Sequence, residues 1–212
     1  MENRGVIYMK SDVFIKGFAK GRNMINTLKA LNVAEIAHEG QMRKAGGPYL
    51  NHPLRVASTL IGLKIYDDIT IAAALLHDVI EDNEEIKNTN GEILVTKYGL
   101  DREVLDVVLK VTKIKGKDET LYYKEIESDI RAILVKISDR CHNISTMCNA
   151  FSEQKMSQYV EETETYILPL ISHSKRYFPE YSDALYVMKY MIRSNMDFVN
   201  YICKKGEKNG TI

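Results

Sequence analysis

The 212-residue sequence predicts an all-α protein, a single helical bundle of roughly eight to ten helices. Nearly every segment repeats its apolar residues at spacings of three and four, which is the period of an amphipathic helix. Almost no segment shows the strict alternation that a half-buried strand requires. An apolar fraction of 45% and a charged fraction of 27% are typical of a soluble globular protein.

Charge and composition exclude several classes of function. Basic and acidic residues number 29 each, so no overall field favours nucleic acid or an anionic membrane. The longest apolar run, Ile71 to Leu76, is far too short to span a bilayer, and the mixed first twenty residues do not resemble a secretory signal. Three cysteines without paired spacing suit a reducing compartment. We expect a cytoplasmic protein without a nucleic-acid or membrane partner, whose oligomeric state stays open.

The first helices are separated by a turn. The apolar period predicts a helix over Met24–Lys44, followed by a turn at Ala45–Pro48. A second helix is expected from Pro53 to about Leu63, because proline pre-sets the first helical position. His52 precedes that proline, so its imidazole is held at a helix entrance.

The central helix ends in an unusual set of polar residues. Asp67 and Asp68 are suitable residues for its start, and the run Ala72–Leu76 is apolar. His77 and Asp78 follow, and one turn later come Glu81 and Asp82. Residues three and four apart share a helix face, so these four side chains are expected to cluster. Such groups at the mouth of a buried helix are costly unless something uses them.

The rest of the chain predicts further helices and no linker. Residues 1–212 are expected to form one domain, with a core at about 24–172 onto which helices within 173–203 pack. Whether the charged connector at 113–120 moves over a substrate stays open. The expected helices are Gly91–Tyr98, Asp101–Thr112, Leu121–Met147, Glu153–Ser172 and Tyr181–Cys203.

Three separate elements offer ligands for a metal ion. They are His52, the pair His77 and Asp78, and Asp139. Two imidazoles and two carboxylates suit a borderline divalent ion such as manganese, iron, cobalt, nickel or zinc. Taken singly, His52 could be a helix cap and Asp139 a salt-bridge partner; the joint pattern favours a metal site.

Two acidic residues beside that site are candidates for proton transfer. Next to a divalent cation, a carboxylate such as Glu81 or Asp82 can orient a water molecule or protonate a leaving oxygen. The alternative is a solvated helix end that continues into the acidic loop after Asp82.

Basic and amide side chains could bind an anionic substrate. Arg43 and Lys44 are either helix caps or groups that stack on a base and bind phosphate. Lys113 and Arg140 are further phosphate candidates, although each alone could be surface charge. On the long helix, Asp139, His142, Asn143 and Thr146 share a polar face where the core should be apolar. His38 and His142 suit hydrogen-bonded support of the ligands, and Asn143 and Thr146 suit substrate contacts.

Four ordered blocks of sequence resemble the hydrolase domain of the Rel/Spo alarmone enzymes, within the HD phosphohydrolase superfamily. The similarity extends over about Ala30–Leu170, and the chain is similar in layout to the small stand-alone metazoan SpoT homologues. The blocks are His38-Glu-Gly-Gln-x-Arg43-Lys44-x-Gly-x-Pro-Tyr49-x-x-His52-Pro, Ala-Leu-Leu-His77-Asp78-Val-Ile-Glu81-Asp82, Val-Thr112-Lys113 and Ser-Asp139-Arg140-x-His142-Asn143.

The resemblance implies an activity and a set of roles. It implies that water attacks the 3′-diphosphate of (p)ppGpp and releases pyrophosphate and GDP or GTP. It further implies acid–base roles for Glu81 and Asp82, guanine contacts for Arg43 and Lys44, and a nucleoside contact for Asn143. One Mn²⁺ ion would be held by His52, His77, Asp78 and Asp139.

Some positions depart from the family pattern. Asn83 stands where the family usually has threonine, and Ser145 stands where arginine is common. These differences leave two alternatives open. One is a hydrolase of another nucleotide, such as a pppApp-type alarmone or the 2′-phosphate of NADPH. The other is a metal-binding HD module that acts as a sensor without catalysis.

Overall fold

Helices form almost all regular structure in residues 9–209, the part of the chain that this computed structural model describes, with side chains for 11–203. The all-α prediction is confirmed, since the described residues contain no strand and a single isolated bridge, between Met42 and Pro48. Ten helices have nine residues or more, which agrees with the predicted number, and three have four or five. The helices are α1 (Met9–Gly21), α2 (Ile25–Ala37), α3 (Asn51–Gly62), α4 (Asp68–Leu76), α5 (Val79–Asp82), α6 (Glu84–Asn88), α7 (Glu92–Thr96), α8 (Arg102–Val111), α9 (Glu119–Glu127), α10 (Ile130–Thr146), α11 (Glu153–Glu162), α12 (Leu168–Tyr177) and α13 (Ser182–Asn209).

The described residues group into two compact units that divide after Asp139, inside α10. The prediction of one domain over the whole chain stays a prediction. None of the described helices combines the length and the apolar character needed to cross a bilayer.

The first unit is built around α4. Every residue from Ile69 to Leu76 is buried, and α2, α3 and α8 pack around this helix. Burying a leucine or isoleucine side chain stabilises the fold by about 1.5–3 kcal/mol, so α4 is a rigid base for the residues that follow it.

Two aspartates at the start of α4 fix the helices on either side. Asp67 caps α4, accepting hydrogen bonds from the Thr70 N–H at 2.9 Å and the Thr70 hydroxyl at 2.6 Å. Asp68 instead accepts from the N–H groups of Asn26 at 2.9 Å and Thr27 at 2.8 Å, at the start of α2. The α2 helix lacks a capping side chain of its own, so this carboxylate from α4 satisfies its free donors.

The helix predicted to reach Lys44 ends at Ala37, so Arg43 and Lys44 lie in a loop. Gly40, three residues after the helix end, has a φ of 72°, a left-handed backbone conformation that ends a helix, and in the loop that follows Gly46 and Gly47 have φ of 93° and 82°. Arg43 closes a tight turn here, because its N–H donates to the Gly47 carbonyl at 2.9 Å and its carbonyl accepts from the Gly46 N–H at 2.9 Å.

The long helix predicted over Leu121–Met147 is two helices, α9 and α10. The break falls at Ser128 and Asp129. The Asp129 carboxylate accepts from the Arg131 N–H at 2.9 Å and pairs with Lys110 at 2.7 Å, which begins a new helix.

The second unit contains the end of α10 and helices α11 to α13. The predicted helix over Glu153–Ser172 continues to Tyr177 and contains a π-helical turn at Thr163–Ile167. Pro169 explains this turn, since proline removes a backbone donor and crowds the preceding turn of a regular α-helix.

Helical periodicity predicts that Ile25 and Ile36 of α2 and four residues of α13 face the core, the latter being Leu185, Met188, Ile192 and Phe198. Leu185, Met188 and Ile192 are buried as predicted. Ile25, Ile36 and Phe198, however, are on the surface, with exposed fractions of 53%, 52% and 59%. Each sits on a helix whose buried stripe is narrower than its apolar content suggests.

Candidate metal centre

Four predicted ligands, which lie far apart in the sequence, converge in the first unit. His52 is the second residue of α3, His77 and Asp78 form the junction of α4 and α5, and Asp139 lies on α10. The two His Nε2 atoms are 3.0 Å apart, and that of His52 lies 3.1 Å from Asp139 Oδ1. Asp78 Oδ2 lies 3.4 Å from His52 Nε2 and 3.2 Å from His77 Nε2.

The hydrogen bonds of His77 indicate that this group of atoms is suited to hold a cation. Its Nδ1 lies 2.9 Å from the Ala74 carbonyl, which can only accept, so Nδ1 carries the proton. In the neutral ring Nε2 then carries a lone pair, which faces carboxylate oxygens and another imidazole. Burial alone would lower the pKa of His77, but the carboxylates of Asp78 and Asp139 raise it well above its usual value. A positive charge is therefore strongly favoured at the point where these atoms meet.

The spacing and the types of the donors fit one divalent metal ion. The ligand atoms of His52, His77 and Asp139 all lie within 4.8 Å of one another, and all three side chains are buried. Two donors about 2.1 Å from one ion and at right angles lie about 3 Å apart, close to the separations found here. Asp78 has an exposed fraction of 20%, which leaves this side of the site open to water.

Glu81 and Asp82 lie at the exposed rim of the cluster. Desolvation and the nearby charge of Asp78 raise the pKa of Asp82. Desolvation also raises the pKa of Glu81, although the Lys113 N–H, which donates to Glu81 Oε1 at 2.6 Å, opposes the shift. Carboxyl groups with raised pKa values are suited to exchanging protons near neutral pH.

Tyr49 and Gln41 support the cluster, and sequence analysis assigned neither of them a role. The Tyr49 hydroxyl donates to Asp78 Oδ2 at 2.7 Å. The Gln41 amide donates to the Asp82 carbonyl at 3.2 Å, and its oxygen accepts from His38 Nδ1 at 2.8 Å. No local signal indicated Tyr49, because it lies in the turn before α3 and its partner Asp78 lies 29 residues further along the chain.

His38 is buried and hydrogen-bonded, as the sequence predicted. It is 3% exposed, and its ring packs on that of Tyr49 with centroids 4.8 Å apart. Burial lowers the pKa of His38, which favours the neutral ring. His38 contacts the ring of Tyr49, whose hydroxyl donates to Asp78, so His38 would support the ligands indirectly.

The predicted substrate contacts in the first unit lie in loops. The Arg43 guanidinium lies 5.8 Å from the centre of the Tyr49 ring, and Lys44 is exposed. Lys113 binds Glu81 through its backbone, while its ammonium pairs with Glu119 at 2.6 Å. These cations are close to residues of the site, and their contacts with substrate stay predictions.

The predicted contacts beyond Asp139 belong to the second unit. His142, Asn143 and Thr146 are half-buried, and the Thr146 hydroxyl donates to the carbonyls of His142 at 3.1 Å and Asn143 at 3.3 Å. Their roles stay predictions.

Arg140 differs from what was expected of a phosphate ligand. It is 1% exposed, and its guanidinium donates to Glu162 at 2.7 Å and Thr163 at 3.1 Å. A buried guanidinium with these partners favours a structural role, and the predicted phosphate contact of Arg140 stays a prediction.

Helical folds that gather two histidines and two aspartates around one divalent ion form a recognisable class of metal-binding protein. Within that class, this chain belongs to the HD-domain family, whose model, described as "HD domain", matches residues 30–170. HD domains bind divalent metal ions, and the cluster described above can hold one.

Relatives with curated names share the same region. The bifunctional (p)ppGpp synthase/hydrolase SpoT of Escherichia coli K12 is 34% identical over 178 residues, which cover 77% of this chain and 25% of the relative. A guanosine-3′,5′-bis(diphosphate) 3′-pyrophosphohydrolase of Aquifex aeolicus is 35% identical over 190 residues, which cover 85% of this chain and 26% of the relative. The chain thus spans about a quarter of the length of these relatives.

A solved structure has a similar fold. It comes from work on a metazoan orthologue of SpoT that hydrolyses ppGpp and plays a role in starvation responses. The TM-score is 0.55 at 21% identity, and the match covers 82% of this chain and 93% of the other. At this identity the likeness concerns the fold.

Proposed function

We propose that this protein is a Mn²⁺-dependent hydrolase that removes the 3′-diphosphate of (p)ppGpp. The observation that carries the proposal is a cluster of possible ligand atoms. Those of His52, His77 and Asp139 all lie within 4.8 Å of one another, and Asp78 Oδ2 lies 3.4 Å and 3.2 Å from the Nε2 atoms of the two histidines. The rim carboxylates supply groups for proton transfer, and the names of the relatives supply the substrate.

Each side chain of the site has its own role in the proposed reaction. Water attacks the phosphorus attached to the 3′ oxygen, the P–O3′ bond breaks, and pyrophosphate and GDP or GTP leave. Glu81 accepts a proton from the attacking water, and Asp82 supplies the proton that makes O3′ a hydroxyl. His52, His77, Asp78 and Asp139 would hold a divalent ion, which would lower the pKa of water and stabilise charge on the phosphoryl oxygens. Arg43, Lys44 and Asn143 would hold the guanosine.

A substrate panel tests the proposal. Protein loaded with Mn²⁺ is incubated with ppGpp, pppGpp, pppApp and NADPH, and released pyrophosphate and orthophosphate are measured separately. Pyrophosphate from ppGpp and pppGpp in preference to the other two is the expected result. Preferential cleavage of pppApp would mean that the enzyme recognises adenine instead of guanine. Release of orthophosphate from NADPH would mean that it removes a 2′-phosphate instead of a 3′-diphosphate.

The same panel addresses the sensor alternative. Loss of turnover with every nucleotide, in protein that retains stoichiometric Mn²⁺, would replace the enzyme by a metal-binding module. The metal itself is assigned by comparing turnover with Mn²⁺, Fe²⁺, Co²⁺, Ni²⁺ and Zn²⁺ after removal of the bound ion, with Mn²⁺ expected to give the highest rate.

The cysteines support a cytoplasmic location for this activity. Cys141, Cys148 and Cys203 form no disulfide among the residues that the structure describes, and Cys141 is buried. Reduced cysteines are typical of a reducing compartment.

A further inference from the structure

A basic cleft lies beside Glu81 in the first unit. Its volume is about 540 Å³, within the range of small-ligand sites. The carboxylate of Glu81 forms part of the wall, so the cleft and the rim of the metal centre share this residue. It is lined by Ile80, Glu81, Lys87, Asn90, Leu109, Thr112, Lys113, Ile114 and Lys115.

Cations outnumber anions in this lining, with three lysines against one carboxylate. Lys113 is engaged with Glu119, but the other two ammonium groups are available. Lys87 has a weak contact with Glu84, at 4.0 Å between side chains that are 55% and 83% exposed. Lys115 forms no ion pair with any residue that the structure describes. An exposed pair such as Lys87 and Glu84 contributes little, so a stronger anion can replace it.

The remaining lining explains which kind of anion fits. Ile80, Leu109 and Ile114 give an apolar wall, while the amide of Asn90 and the hydroxyl of Thr112 add hydrogen-bonding groups. Lysine ammonium groups act as compact charges on flexible stems, which suits the several oxygens of a phosphate chain. A cleft of this size accommodates two or three linked phosphates.

We propose that Lys87 and Lys115 bind the 5′-polyphosphate of the nucleotide substrate in this cleft. The inference rests on the proposed function, because the scissile 3′-diphosphate must lie at the metal centre. The nucleoside then passes Glu81, and its other phosphate chain enters the cleft. Lys87 and Lys115 therefore set how strongly the enzyme distinguishes substrates by their number of 5′ phosphates.

The first test measures binding without catalysis. Inorganic tripolyphosphate is titrated calorimetrically, in the presence of EDTA, into the unmodified protein and into the Lys87→Gln/Lys115→Gln variant. The double substitution is expected to raise Kd about tenfold, since two charge-assisted contacts are lost. A matched control, Lys16→Gln/Lys20→Gln, removes the same charge from exposed positions on α1 and should leave Kd within about twofold of the unmodified protein. Equal weakening by both double variants would overturn the site.

The second test identifies the source of the phosphate chain. KM is measured for guanosine 3′-diphosphate with a free 5′-hydroxyl, for ppGpp and for pppGpp. In the cleft variant KM should rise about tenfold for pppGpp, less for ppGpp and not at all for the 5′-hydroxyl compound, with kcat unchanged. Weaker tripolyphosphate binding with unchanged KM values would mean that the cleft holds a separate anion, which overturns the substrate assignment.

The two tests separate this inference from the proposed function. If the unmodified protein hydrolyses none of the three nucleotides, the proposed function fails. The calorimetric comparison then still decides whether the cleft is a polyphosphate site.

Discussion

Two neighbours on α10, Asp139 and Arg140, are both buried and charged, yet their surroundings differ. Asp139 Oδ1 faces groups that offer lone pairs, 3.1 Å from His52 Nε2 and 3.6 Å from His77 Nε2, while its Oδ2 lies 3.4 Å from the ammonium of Lys136. Arg140, within the second unit, pairs with Glu162 at 2.7 Å, and its guanidinium lies 3.9 Å from the centre of the Tyr159 ring.

The difference teaches how a functional buried charge is distinguished from a structural one. The Arg140 cluster is balanced in charge, because the guanidinium pairs with a carboxylate and also meets a hydroxyl and an aromatic face. The Asp139 cluster brings two imidazoles and two carboxylates together with a single lysine contact, from Lys136, which is costly in a low dielectric unless a further cation joins them. A buried cluster with more acceptors than the nearby cations can satisfy therefore indicates a ligand site.

Replacing a metal ligand should have the largest effect. In His77→Ala the protein loses bound Mn²⁺, and hydrolysis falls to background, because one donor is lost and a cavity opens beside the other three. Metal content by mass spectrometry and pyrophosphate release are measured on the same samples.

His173→Ala is the matched control for this change. His173 stacks on Tyr177, with ring centroids 4.3 Å apart, and no role is assigned to it. Its replacement should leave metal content and turnover unchanged. Full Mn²⁺ occupancy in His77→Ala would remove His77 from the ligand set.

Glu81→Gln separates the chemistry from metal binding. We expect metal content to stay constant while kcat falls by about 10²–10⁴, since a general base is lost. Glu81 acts as a carboxylate, so the activity of the unmodified enzyme should rise with pH through the pKa of this group. At higher pH the activity should fall again, because Asp82 loses the proton that it supplies. Desolvation raises the pKa of Glu81, which moves the acidic limb above the ordinary value for glutamate, about 4.3.

In Glu81→Gln the acidic limb due to Glu81 should disappear from the pH profile. The control is Glu84→Gln, since Glu84 has a side chain that is 83% exposed at the start of α6. An unchanged limb in Glu81→Gln would assign the titration to another group.

Arg140→Met tests the other member of the comparison. Removing the guanidinium leaves Glu162 without its cation, so the free energy of unfolding should fall by about 3–5 kcal/mol. Urea unfolding measures this loss. The control is Arg102→Met, which breaks an exposed pair with Glu92 and should change the free energy of unfolding little. Stability equal to that of the unmodified protein would refute a structural role for Arg140.

Helical periodicity predicted the all-α fold but not where the helices end. The α2 helix stops at Ala37 because glycines in the following loop adopt left-handed backbone conformations, and its apolar pattern does not reveal this. The break between α9 and α10 depends on the Asp129 carboxylate, which also pairs with Lys110 of α8. Such long-range contacts are not visible in a local pattern.

The convergence of His52, His77, Asp78 and Asp139 could be predicted because each residue stands out within its own helix. Arg140 and Tyr49 could not be assigned in this way. In the sequence, an arginine on a helix looks the same whether its side chain lies in solvent or pairs with a buried glutamate. Likewise, the sequence around a tyrosine in a loop does not indicate which carboxylate it binds. Only the folded partners distinguish these cases.

Tyr49→Phe provides the smallest and sharpest test of the acceptor-rich cluster. The Tyr49 hydroxyl donates to Asp78 Oδ2 at 2.7 Å, so it orients a ligand without being one itself. Its removal should weaken Mn²⁺ binding about 10–100-fold, and saturating Mn²⁺ should restore most of kcat. Tyr66→Phe removes a hydroxyl from a ring that packs on Arg22 and serves as the control. If kcat stays low at saturating Mn²⁺, Tyr49 acts on the reaction itself and not through the position of Asp78.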